Sequence, residues 1–141
     1  MTSATKFTTF VDALSKASIN LNTAAFKVAL FTSAPSTSTS LYSSLTGEVS
    51  SGNGYTTGGI AVSSGSGQAT DSTGTESIAS LTSITWTASS SGFSFRYAVL
   101  YDSTSGVNVE FWDNGSTITL SGANGDQFVL TPTGSVLLTL A

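Results

Sequence analysis

The segment Phe93-Ser94-Phe95-Arg96-Tyr97-Ala98-Val99-Leu100-Tyr101 places a large side chain at every odd position. Successive side chains of a strand point to opposite faces, so this period of two predicts an extended strand with one face turned inward. The same pattern recurs along the chain. Phe26, Val28 and Leu30 alternate with Lys27, Ala29 and Phe31. Ile84 shares a face with Trp86, Val107 with Val109 and Phe111, and Val136 with Leu138 and Leu140. A chain of 141 residues written this way is expected to bury its large side chains in one all-β core.

Strands are expected at Phe26–Phe31, Tyr55–Ser63, Gln68–Asp71, Ser77–Ala88, Phe93–Tyr101, Val107–Trp112, Ser116–Ser121, Gln127–Thr131 and Ser135–Leu140. Turn signals at short intervals point to an antiparallel β-sandwich or jelly roll of about eight strands. Three Asn-Gly dipeptides, Asn53-Gly54, Asn114-Gly115 and Asn124-Gly125, offer the positive φ angles of tight turns. The last two are expected to close hairpins. The Gly/Ser-rich stretch over 63–75 reads as a long hairpin excursion rather than a linker, so a single domain is expected over 1–141.

One segment departs from the period of two. Phe7, Phe10, Val11 and Leu14 fall at i, i+3, i+4 and i+7, the stripe of one short N-terminal α-helix. Ser3 or Thr5 is the expected cap, and Asn20 or Asn22 the expected end. An isolated helix of this length is marginal in water, so residues 1–22 must dock on the β-sandwich of residues 25–141 or reach a neighbouring subunit as an arm. The Ser/Thr-rich connection over 36–47 is long for a compact domain, with Leu41, Tyr42 and Leu45 as its anchors.

The chain contains no histidine and no cysteine. The commonest general base at neutral pH, thiolate catalysis, disulfides and sulfur-ligated metals are thereby all removed. Four cationic residues, Lys6, Lys16, Lys27 and Arg96, provide no basic stripe for nucleic acid or an anionic membrane. No apolar run approaches the roughly 20 residues of a membrane span, and the N-terminus does not read as a secretory signal. Eight carboxylates are scattered without a marked catalytic pair, and those in turns are best explained by bonds to nearby backbone N–H groups. A structural cation at Asp102, Asp113 or Asp126 is the weaker alternative, because no EF-hand loop is present. The glycines 52, 54, 58 and 59 lack a P-loop lysine, and no G-x-S-x-G elbow exists. The expectation is a non-enzyme without cofactor or metal. Ser and Thr make up roughly a third of the residues against a usual share nearer an eighth, while charged residues are only 9%. The exterior is therefore expected to be hydroxylic rather than ionic.

The stretch Gly47-Glu48-Val49-Ser50-Ser51-Gly52-Asn53-Gly54-Tyr55, followed by Gly58-Gly59, is similar to a segment found in small structural proteins of tailed bacteriophages. The resemblance extends to Phe26–Leu30, Trp86, Tyr97–Asp102, Thr104-Ser105-Gly106, Val109–Trp112, the Gly125-Asp126 turn and the last strand ending near Leu140. It covers most of the chain from residue 26 onward through short turn-and-strand motifs. Thr56 and Thr57 stand where such proteins often carry a basic residue.

The resemblance implies a virion component without enzymatic activity. On that basis a capsid decoration (cement) protein is expected, made in the host cytoplasm, placed on the capsid exterior and bridging capsomers. Its expected partners are the major capsid protein and further copies of itself, as a dimer or trimer. Phe7, Phe10, Leu14, Leu41, Tyr42 and Leu45 are the expected contact residues, each with a competing reading as core. The alternative is a tail-fibre or tail-tip module that recognises host glycans through exposed aromatics such as Trp112 or Tyr42.

Overall fold

A computed structural model describes residues 4–21, 23–62, 68–70, 76–79, 83–131 and 136–140. Its central sheet has the order β1(Thr5–Lys6), β8(Asn108–Leu120), β7(Phe93–Asp102), β2(Phe26–Phe31) and β3(Ile60–Ala61), with antiparallel pairing throughout. β6(Ile84–Thr87) and β9(Gln127–Leu130) form a two-stranded sheet. β4(Gln68–Thr70), β5(Glu76–Ala79) and β10(Val136–Leu140) pair in a third. The fold is all-β with one short helix and a sandwich-like arrangement of sheets. The strand order does not establish the jelly-roll form of the expectation.

β7 is the spine. Its odd residues Phe93, Phe95 and Tyr97 are buried while Ser94 and Arg96 are half-buried, as the alternation requires. From Ala98 onward every β7 residue is buried, so this half is covered on both faces. The two-stranded sheet meets the first half through rings. Phe128 lies 4.8 Å from Phe95 and 5.6 Å from Trp86, centroid to centroid. Burying Val, Leu, Ile or Phe contributes about 1.5–3 kcal/mol each, and the core joins strands β2, β6, β7 and β8 to the helix.

The helix α1(Thr8–Ser15) is shorter than expected and starts differently. Thr5 belongs to β1 rather than to a cap, Phe7 takes the capping position without a side-chain bond, and Ser3 lies outside the described residues. The Thr8 N–H instead donates to Thr37 O at 2.9 Å. At the other end Ser18 N–H donates to Ala13 O and Ala17 N–H to Leu14 O, while Ala17 takes a φ of 54°. This is a Schellman stop with alanine in the position glycine usually fills. It ends the helix before Asn20, and Asn22 lies outside the described residues. Phe10 and Ala13 are buried, Leu14 is half-buried, and Val11 is 55% exposed, so the apolar stripe is narrower than its sequence spacing suggests.

Two hairpin expectations are also corrected. Asn114-Gly115 sits inside β8, where Val107–Trp112 and Ser116–Ser121 merge into one long strand. The ladder jumps from Phe95↔Ile118 to Tyr97↔Asp113, leaving 114–117 as a bulge opposite Arg96. Asn124-Gly125 makes a turn, but it joins β8 to β9, which belong to different sheets. The tight two-residue turn is Asn53-Gly54: Gly52 and Tyr55 exchange both backbone bonds at 2.9 Å, and both central residues have positive φ. The expected strand Tyr55–Ser63 shrinks to Ile60–Ala61, and Ser77–Ala88 divides into β5 and β6. Most of the 63–75 excursion, and the side-chain facing expected of Val136, Leu138 and Leu140, lie outside the described part.

Candidate functional site

The 47–59 segment is a latch on the outer edge of β2. Val49 N–H donates to Leu30 O, and Thr32 N–H to Gly47 O, so one end of the segment pairs with β2. β3 pairs with β2 further along, Val28 lying opposite Ile60. Between the two the chain leaves the edge, which would strand the buried Leu30 N–H. The Tyr55 hydroxyl takes its place, accepting from Leu30 N at 3.0 Å and donating to Glu48 Oε1 at 2.8 Å. Gly58 N–H donates to the same Glu48 oxygen, and Tyr101 hydroxyl donates to Gly58 O at 2.9 Å. Burial, assisted by Glu48, holds the Tyr55 phenol far above its usual range. Gly59, with a φ of 68°, lies flat on the Val28 carbonyl, and no Cβ fits there.

The connection over 36–47 borders this latch. Tyr42 stacks on Tyr101 with centroids 3.9 Å apart and meets Phe31 edge-on. Burial and the nearby Glu48 raise its phenol as well. The connection is held along its length: Thr37 O accepts from Thr8 N and Oγ1, Asn108 N–H donates to Ser40 O, and Tyr42 N–H to Gly106 O. Asn108 Nδ2 donates to Thr39 O at 3.0 Å. The segment carries no charged residue, and Leu41 projects from it with 41% of its surface exposed.

The turn carboxylates are occupied with the fold itself. Asp102 accepts from Ala25 N, Thr104 N, Ser105 N and Ser105 Oγ at 2.6–3.1 Å. Burial alone would raise its carboxyl, yet these donors hold it below the usual carboxylate range. Asp113 takes a bidentate grip from Arg96 at 2.8 and 2.9 Å and accepts from Gly115 N, which lowers it too. Asp126 accepts from Ser121 N at 2.9 Å. No group of three or more metal-ligating acids occurs among the described residues. No helix among them is long and apolar enough to cross a membrane.

Of the expected contact residues, Phe7 and Phe10 are 0% exposed and belong to the protein's own core, leaving no surface for a partner. Leu14, Tyr42 and Leu45 are half-buried against that core, and Leu41 is exposed. The helix-face and loop groups therefore do not form one surface of equal standing. Sequence reasoning missed Glu110, which β8 buries to 3% exposure opposite Lys6 of β1. The available signal was an acid flanked by Val109 and Phe111 in an apolar strand. Burial pushes its carboxyl up to about 8, with the Lys6 ammonium opposing.

Comparison with known protein families, with characterised proteins and with solved structures finds no match to this chain.

Proposed function

We propose that this chain is a bacteriophage capsid decoration (cement) protein that binds the major capsid protein and bridges adjacent capsomers on the outside of the shell. The observation that carries the reading is the 36–47 connection, an ordered and uncharged loop fixed at several points that holds Leu41 outward. Long loops fixed by a rigid scaffold are where binding surfaces concentrate. Three of the turn carboxylates are bound into turns or to Arg96, which favours a role in contact over one in chemistry. Contact through apolar area and backbone groups is screened little by salt. An interface of about 1,600 Å² suffices for specific binding, and repeated copies, with self-association as dimer or trimer, add avidity. Leu41, Tyr42 and Leu45 are the contact residues in this reading.

Shells lacking the protein, mixed with it and sedimented, are expected to retain it between about 0.1 and 1 M salt. Leu41→Asp is expected to abolish retention while leaving the fold intact, because Leu41 is largely outside the core. Failure to co-sediment at any salt rejects the cement role. Binding to host glycans instead would assign the chain to a tail receptor-binding module.

A further inference from the structure

Residues 5–15 form an arm whose seat contains an unsatisfied buried acid. β1 contributes only two register pairs to the central sheet, Thr5↔Phe111 and Lys6↔Glu110. Beyond it, Phe7 N–H donates to Val109 O at 3.0 Å, and Phe7 and Phe10 plug into the core. The seat on β8 is irregular: between Leu100↔Glu110 and Tyr101↔Asn108 the ladder shifts by one residue. Such bulges re-aim side chains. Glu110 Oε1 is buried there without a hydrogen-bond partner, as are Asn108 Oδ1 two residues along the strand and Thr9 Oγ1 on the arm itself. A buried polar oxygen without a partner is costly, and a buried charge far more so.

We propose that the arm is proton-gated: it stays docked while the Glu110 carboxyl is neutral and leaves β8 when that group ionises, uncovering Phe7 and Phe10. This proposal does not rest on the capsid reading. The charged groups on the surrounding elements leave Lys6 as the one acting on Glu110. Asp12 of α1 and Lys16 just beyond its end pair with each other at 2.8 Å on the exposed side. Asp102 of β7 is bound by the donors of its own turn, and Asp113 of β8 by Arg96. The 37–40 segment carries no titratable group.

The sign follows from linkage. In the folded protein Glu110 keeps its proton up to about 8, against an ordinary value of 4.5. The folded state therefore binds more protons in that interval, and its stability falls as pH rises from the lower value through the upper one. Local release of a short edge strand and helix relieves the same penalty without unfolding the sheets.

The chain's own tryptic sites provide the test, since Lys6 lies in the arm, on β1, while Lys27 and Arg96 lie in β2 and β7. The ratio of wild-type to Glu110→Gln cleavage at Lys6 is expected to rise at least about tenfold between about pH 6 and about pH 9, because the interval from 4.5 to about 8 is only partly crossed at the lower pH. Comparison at a common pH removes trypsin's own pH dependence. A wild-type-to-variant ratio that is the same at both pH values, or cleavage at Lys27 and Arg96 rising in step with that at Lys6, overturns the proposal. Hydrogen exchange on the wild type gives a readout that needs no variant. The Phe7 and Thr8 amides are expected to lose protection on alkalinisation while those of β2 and β7 keep theirs, and unchanged arm protection overturns the proposal.

Discussion

Glu48 and Glu110 have the same side chain and opposite surroundings. Glu48 stands at the edge of β2, where Tyr55 hydroxyl and Gly58 N–H both donate to its Oε1. Glu110 lies under the arm, where its Oε1 meets no donor and the Lys6 ammonium acts on it only at a distance. The first carboxylate fastens a loop; the second can only be carried inside as a neutral acid. The number of donors supplied, not depth of burial alone, decides whether a carboxylate ties a fold together or makes it responsive.

The largest effect on the latch is expected from Gly59→Ala. The residue holds a φ of 68°, and a Cβ would overlap the Val28 carbonyl, which is backbone of the central sheet and cannot move aside. Strain and overlap together are expected to cost about 3 kcal/mol or more, read as a shift in the denaturation midpoint. A change below about 1 kcal/mol would mean that the latch does not lie flat on β2 in solution.

The latch also marks how far the sequence is legible. The period of two located β2, β6 and β7 because each has a consistently buried face, and periodicity reports burial directly. The bulge at 114–117 was not legible. Asn-Gly supplies positive φ in a bulge as readily as in a hairpin, and only the Arg96–Asp113 pair across its base tells the two apart. The helix end was misplaced because Ala17, not a glycine, adopts the left-handed stop. Phe7 and Phe10 were legible as an apolar stripe, but a stripe does not say whether its own sheet or a neighbour covers it. The connection over 36–47 was recognisable from length and composition, whereas its backbone partners Thr8, Gly106 and Asn108 come from distant parts of the chain. Glu110 was visible as an acid in a strand, and its meaning depends on β1, which is too short to carry a pattern of its own.

Tyr55→Phe turns the latch into a second unsatisfied site, alongside Glu110. The ring remains and keeps its contact with Phe93 at 5.7 Å, so the change isolates the hydroxyl. Leu30 N–H, in a strand buried on both faces, then loses its acceptor, and Glu48 loses one of its two donors. An unmet buried donor costs on the order of 2 kcal/mol, to be measured by chemical denaturation. A neutral result would show that water reaches the Leu30 amide once the hydroxyl is gone.

The smallest effect is expected from Glu48→Gln, and it separates charge from geometry. The amide oxygen still accepts from Gly58 N–H and Tyr55 hydroxyl, so the donors are kept and only their charge assistance is lost. Charged hydrogen bonds exceed neutral ones by about 1 kcal/mol, which sets the expected destabilisation. Tryptic cleavage at Lys6 is expected to be unchanged at alkaline pH, in contrast to Glu110→Gln, because the latch lies on β2 while the arm seats on β8. If Glu48→Gln protected the arm as well as Glu110→Gln does, the two carboxylates would belong to one coupled network, and the contrast between a fastening acid and a gating acid would no longer hold.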